Sequence, residues 1–394
     1  MPANAIHHAP SQSDFAAIRR ALPEASHVPG EIYYSSDIFA LEKARIFTRE
    51  WCCVGRSEEI AHPGDYMAIR LVGEPIVVTR NLEGELRCFA NVCLHRGVEV
   101  AQDSGNTRIF SCPYHAWTYD LDGRLTAAGF MKESLGFDTT SRRLKPIRVG
   151  EWAGWIFVNL DENAAPLSEH LEDFARDTAV LRMENCRIGS KIDFPAQANW
   201  KFVVENVLDV YHSRTLHYKS FGKHRGSPEK YPFHLRKNGG TCTVYEGKPK
   251  TPDGVTLFRK MPALEDRPDN FAMSCHLAPN IQLVARIDSA QVFVAWPDTE
   301  TTSHFVVYSL FAKEFFDLPD FAERVRVYDD YTRLFLGEDS VMLTSLQQAM
   351  QSVNYVPGRL STLEIGVHHI LNDYLNRLHG PDRSQARAAA GRPG

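Results

Sequence analysis

The chain has 394 residues, a net charge of −5 and 43% hydrophobic residues, enough for about two domains with cores of their own. The acidic balance offers no basic face to nucleic acid, and no run of about 18 apolar residues exists to span a membrane. Met1 to Leu22 lacks a charged leader followed by an apolar stretch, so a cytoplasmic location is expected rather than secretion.

A polar, His- and Ala-rich start through about Ala21 is expected to be loose, and residues 40–50 place apolar and charged side chains at helical spacing up to Trp51. Residues 1–45 are therefore read as an N-terminal arm and helix. Short β runs follow at 66–71, 75–79, 86–91, 108–111, 117–123 and 155–160, separated by Gly-Asp, Glu-Gly and Asp-Gly turns. They define a β domain over 46–165. A helical stretch at 167–185 and an opening strand at 191–195 begin a second domain, 166–382. Residues 202–211 lack Gly and Pro and are consistent with a helix, although several β-branched residues keep its propensity middling. Residues 241–311 alternate like antiparallel strands. Helical patterns follow at 321–352, with a break near Gly337, and at 363–378; residues 383–394 are Ala, Arg and Gly rich and are expected to be a disordered tail. No internal repeat is visible. The expected class is α+β: an antiparallel-β N-terminal domain, then an antiparallel sheet flanked by helices.

One constellation carries the chemistry. Cys93-Leu94-His95 is followed, sixteen residues on, by Cys112-Pro113-Tyr114-His115. Two thiolates and two imidazoles in mixed pairs are the ligand set of a Rieske [2Fe–2S] cluster, with both sulfurs on one iron and both nitrogens on the other. Structural zinc also accepts two Cys and two His, but zinc fingers place a Cys pair before a His pair. The other six cysteines sit mostly among apolar neighbours and read as reduced core residues.

With its cluster motif Cys93-Leu94-His95-Arg96-Gly97 and Cys112-Pro113-Tyr114-His115-Ala116-Trp117, the chain resembles the catalytic α subunits of Rieske non-haem iron oxygenases over about residues 33–378. Ala116 stands where that family usually has Gly. Such an enzyme needs a second iron with open positions, held by two His and a carboxylate. His212 and His217, with Asp209 just upstream, supply the two imidazoles, and the carboxylate must come from elsewhere in the chain. Asp209 and His212, three apart, share a helix face, whereas His217 would point away unless the helix ends or loosens near Ser213. The resemblance assigns the carboxylate ligand to Asp339, eight residues before Gln347. Its neighbour Glu338 is read as a solvated helix-face carboxylate.

The resemblance further implies a mononuclear Fe(II) that uses O2, with electrons from NAD(P)H through a separate reductase and possibly a ferredoxin. It makes Asp209 the carboxylate that bridges a cluster His of one subunit, His115 by motif order, to His212 of the next, and so implies a ring of subunits, a homotrimer. The substrate is a small molecule of one of two classes: a quaternary ammonium compound or amine held in an aromatic cage, or an aromatic ring or aromatic acid. Phe202, Asn206, Phe221, Arg286 and Phe293 are the candidate pocket residues, and Arg286 either clamps a substrate carboxylate or pairs with Asp288. The betaine-type reading is preferred. A Rieske electron carrier is the non-enzyme alternative, but it would need only about the first 160 residues.

Overall fold

The computed structural model describes residues 15–220, 231–249 and 251–380. The chain is α+β and divides into two compact units. Phe47–His170 forms one; the described residues through Ile46 and from Leu171 onward form the other.

The smaller unit has ten strands: β1 (Cys52–Arg56), β2 (Asp65–Leu71), β3 (Glu74–Arg80), β4 (Leu86–Ala90), β5 (Ser104–Asn106), β6 (Phe110–Ser111), β7 (Thr118–Tyr119), β8 (Leu125–Ala127), β9 (Arg148–Trp152) and β10 (Trp155–Asn159). They form three antiparallel sheets in the orders β1-β10-β9, β4-β3-β2-β5 and β6-β7-β8. Two hairpins turn on Val72-Gly73 and Ala153-Gly154, with positive φ at all four residues (47°, 98°, 48° and 80°), the signature of turns whose twist matches that of the strands. Phe89, Phe110, Trp117, Tyr119, Leu125 and Leu144 form a core that also buries Cys93 and Cys112.

In the larger unit, α1 (Ser36–Glu42) leads into a wider turn at Lys43–Phe47, so the helical pattern expected at 40–50 is displaced toward the N-terminus. The helix α2 (Leu167–Thr178), whose first four residues belong to the smaller unit, is followed by two short turns on either side of Arg182, whose φ of 45° interrupts the longer helix expected there. Seven antiparallel strands, β11 (Cys186–Ala196), β12 (His234–Leu235), β13 (Thr241–Glu246), β14 (Phe271–Leu277), β15 (Ile281–Arg286), β16 (Ala290–Pro297) and β17 (Ser303–Ala312), are ordered β11-β17-β16-β15-β14-β13-β12. Three helices complete the unit: α3 (Trp200–Leu208), α4 (Phe321–Ala349) and α5 (Ile365–His379). α3 contacts β16, β17, α4 and α5. α4 runs unbroken through Gly337. This glycine is exposed, and nothing would meet a Cβ there, so its penalty of about 1 kcal/mol against Ala is outweighed by the packing on either side. Among the described residues no helix is long and apolar enough to cross a membrane.

α3 is anchored at its start. Asn199 caps its start by accepting the Lys201 N–H (3.0 Å), and the Asn199 N–H in turn donates to Gln347 Oε1 (2.7 Å) on α4. Below the first turn lies a buried ion pair: Lys201 and Glu42 are 3% and 0% exposed. Glu42 also accepts from Trp200 Nε1 (2.9 Å) and the Tyr374 hydroxyl (2.7 Å). Burial lowers the Lys201 pKa while Glu42 opposes the shift. Lys201→Met, which leaves Glu42 an uncompensated buried charge, should therefore cost about 3–5 kcal/mol. The double variant Glu42→Leu/Lys201→Met should be more stable than Lys201→Met alone, as read from denaturant midpoints.

Candidate functional site

Two loops of the smaller unit carry the Cys/His pairs, and both close in the same way. The Gly97 N–H donates to the Cys93 carbonyl (2.9 Å), and the Ala116 N–H to the Cys112 carbonyl (3.0 Å). Both closing residues take left-handed backbone, with φ of 79° and 56°. Glycine adopts this freely, whereas an L-residue such as Ala116 pays about 1–2 kcal/mol. The sulfurs point inward, since each Cys is 3% exposed. The imidazoles of His95 and His115 lie at the surface with their Nδ1 atoms 3.0 Å apart. Trp117 stacks on His95 at 4.8 Å, and the Tyr119 hydroxyl accepts the Leu94 N–H (3.0 Å) and lies 3.2 Å from Cys93 Sγ.

In the larger unit α3 ends at Leu208, earlier than the loosening expected near Ser213. Asp209 is extended (φ −76°, ψ 106°), and its Oδ1 accepts the Tyr211 N–H (2.6 Å), a local turn that competes with helix. A tight turn at His212–Arg214 follows, closed by the Leu216 N–H on the His212 carbonyl (2.9 Å). That reversal brings His217 back beside His212, with Nε2 atoms 3.3 Å apart. Asp209 and His212 therefore meet through the loop rather than along a shared helix face.

Each imidazole is held by a carboxylate behind it. Asp209 Oδ2 is 3.0 Å from His212 Nδ1, and Glu338 Oε2 is 2.7 Å from His217 Nδ1. Hydrogen bonding at Nδ1 leaves Nε2 as a lone-pair donor facing inward. Asp339 Oδ1 completes the set at 3.0 Å from His217 Nε2 and 3.6 Å from His212 Nε2. It is buried without a hydrogen bond. A buried carboxylate oxygen against two lone pairs is unfavourable by itself and suits a cation at the centre. Among the described residues, His212, His217 and Asp339 are the one group of three whose ligand atoms all lie within 4.8 Å of one another. The four Cys/His side chains do not converge in that way, as a single tetrahedral zinc would require.

Glu338 is not the solvated carboxylate expected from the sequence. It accepts from Ser220 Oγ (2.7 Å) as well as facing His217. Consecutive helical residues point about 100° apart, which allows Asp339 to face one ring nitrogen of His217 and Glu338 the other. The adjacent Glu-Asp pair was the signal for this arrangement.

A cleft opens beside the triad. Asn206, Arg286 and Phe293 line it as expected, together with Phe194, Tyr245, Phe305 and Phe335. Phe202 does not. It is 3% exposed and stacks on Tyr33 with ring centres 3.8 Å apart, because the cleft-facing stripe of α3 is Val203, Asn206 and Val207. Phe221 lies outside the described residues. Arg286 does not pair with Asp288, which is buried and accepts from the hydroxyls of Tyr328 (2.5 Å) and Ser289 (3.2 Å); burial raises its pKa. Phe194 and Phe305 sit directly opposite each other in register on β11 and β17. Strand alternation implied such pairs without indicating which face would line a cavity.

A family model described as the ring hydroxylating alpha subunit (catalytic domain) matches residues 183–380, half of the chain. The chain belongs to this family. A Rieske [2Fe-2S] domain model matches residues 50–140 of the same α subunit, which sets aside the zinc alternative. The α subunit is 38% identical to the carnitine monooxygenase oxygenase subunit of Acinetobacter pittii over 48% of its own length, and the match spans about half (52%) of that relative. It is 28% identical to the glycine betaine monooxygenase oxygenase subunit of Pseudomonas aeruginosa over 97% of this chain and 96% of that one. Among solved structures, a quaternary ammonium Rieske monooxygenase in complex with L-carnitine superposes with a TM-score of 0.75 and 27% identity, covering 90% of this chain and 95% of that chain. Naphthalene 1,2-dioxygenase with bound indole shares the fold at 20% identity and a TM-score of 0.74.

The paired loops generate a test. A Cβ at Gly97 meets only Val92, at 4.0 Å, so Gly97→Ala should cost only backbone strain, about 1 kcal/mol. It should lower the melting temperature without abolishing the chromophore. Ala116→Gly, which removes the same strain, should not lower it.

Proposed function

We propose that this α subunit is the terminal oxygenase of a multicomponent monooxygenase that hydroxylates a small quaternary ammonium substrate at an N-methyl group or a carbon next to nitrogen. The observation that carries this reading is the convergence of His212 Nε2, His217 Nε2 and Asp339 Oδ1 at a cleft walled by aromatic rings. These three residues would hold Fe(II), which supplies open coordination positions for dioxygen. The four Cys/His side chains would hold the cluster, whose potential of roughly −150 to +300 mV suits it to receive electrons from flavin and plant-type centres. Phe194, Phe293 and Phe305 bring aromatic rings to the cleft for a trimethylammonium group. The relatives named for carnitine and glycine betaine support this substrate class.

The protein's own groups orient and exclude. Asp209 and Glu338 fix both imidazole rings, and the apolar walls keep water from the reacting carbon. The overall change is C–H + O2 + 2 e⁻ + 2 H⁺ → C–OH + H2O. When the hydroxylated carbon is an N-methyl, the product loses formaldehyde to give the demethylated amine. The electrons would come from NAD(P)H through a separate reductase, with or without a ferredoxin, in the cytoplasm. A homotrimer follows from the role given to Asp209. Its side chain is 21% exposed and already bonded to His212, so it can also accept from His115 of the partner subunit and carry the electron between subunits.

The reading is tested by incubating the reduced holoenzyme with carnitine, glycine betaine and anthranilate and measuring dioxygen uptake coupled to product. Coupled oxidation of anthranilate alone would establish the aromatic alternative. Asp339→Ala should remove mononuclear iron and turnover while the Rieske spectrum persists. Glu338→Ala, which removes only the partner of His217, should weaken iron binding by about 10–100-fold. Asp209→Ala should keep both metals and the oligomer, yet in a single-turnover experiment its cluster should stay reduced on mixing with substrate and dioxygen. Normal cluster oxidation and product yield in that variant would place the electron path elsewhere.

A further inference from the structure

Arg286 ends β15 at the cleft. Its Nε donates to the Lys248 carbonyl (3.1 Å), its Nη1 to the Ala285 carbonyl (2.9 Å), and the guanidinium carbon lies 5.4 Å from the Tyr245 ring centre. These contacts fix the side chain without neutralising it. Among the described residues no carboxylate pairs with Arg286. Among the described residues the acidic residues lining the cleft are Asp209 and Asp339, and both are engaged with His212 and His217. Lys248, whose carbonyl holds Arg286, brings a second cation to the cleft lining. The cleft thus combines aromatic walls with a positioned, unneutralised guanidinium.

We infer that Arg286 is the specificity-determining residue that binds a carboxylate on the substrate. The inference rests on the reading of this cleft as the substrate site. A guanidinium restrained at Nε and Nη1 keeps Nη2 for a charge-assisted hydrogen bond, and such bonds are about twice as strong as neutral ones. A zwitterion places its carboxylate there and its ammonium among the aromatic rings. A purely cationic analogue leaves Arg286 unpaired and adds like charge beside it, so the same residue both selects and rejects. The cleft therefore takes carboxylate-bearing substrates and refuses the corresponding alcohols and amines.

Calorimetric titration of the holoenzyme tests this with ligands in pairs: L-carnitine and glycine betaine against choline, and anthranilate against aniline. In R286Q, the carboxylates that bind the wild-type protein should weaken by roughly 10–100-fold, while choline, relieved of the like charge, should bind no more weakly than before and aniline should change little. R286K, which keeps the charge but not the planar fork, should fall between. If anthranilate binds and responds to R286Q while the betaines do not bind, the role of Arg286 stands and the quaternary ammonium reading falls. Three outcomes overturn the inference: carboxylate affinity unchanged within about twofold in R286Q, equal weakening of both members of a pair, or a wild-type protein that binds no carboxylate of the panel.

Discussion

The site depends on two hydrogen bonds behind its histidines, Asp209 to His212 and Glu338 to His217. A neutral imidazole carries one proton on either of two nitrogens, and only one tautomer presents Nε2 as a donor pair. A carboxylate at Nδ1 selects that tautomer and fixes the ring plane. The two carboxylates reach their rings from different elements. Asp209 belongs to the extended exit of α3, and Glu338 to the middle of α4. Ring orientation therefore requires that α3, the turn after it and α4 be in place together.

Their mutual placement rests on polar contacts in an apolar setting. Gln347 on α4 accepts from the Asn199 N–H at the start of α3 and donates to the Tyr33 carbonyl (2.9 Å). Glu42 gathers Lys201, Trp200 and Tyr374 beneath the same helix. Groups buried this deeply are costly unless paired, so they tolerate one arrangement and disfavour slippage. Directional bonds set the position of α3, and apolar packing supplies the cohesion around it.

Much of this was legible in the chain. The Cys/His spacing indicated the cluster loops, alternation indicated the strands between 241 and 311, and the triad residues were identified from the motif and its family resemblance. What escaped had local physical causes. The end of α3 at Leu208 depends on the Asp209 side chain bonding its own backbone, and no periodicity reports that competition. Gly337 suggested a break because intrinsic propensity says nothing of the packing that carries α4 past it. Phe202 was assigned to the pocket because an aromatic near the metal motif looks the same in sequence whether it faces a cleft or, as here, the ring of Tyr33. The role of Glu338 needed the location of His217, which is distant in the chain.

The unbroken course of α4 has a consequence for how this protein can vary. Asp339, Leu343 and Gln347 are 6%, 5% and 5% exposed and lie along one buried stripe at intervals of four. Inserting or deleting one residue between Asp339 and Gln347 would rotate one against the other by about 100° and shift it by about 1.5 Å along the axis. Either Asp339 would leave the histidines or Gln347 would leave Asn199. The seven residues between them therefore act as a fixed gauge: point substitutions on the outer face are tolerable, but changes of length are not. Changes of length in the loops would alter cleft shape without disturbing the distance between Asp339 and Gln347.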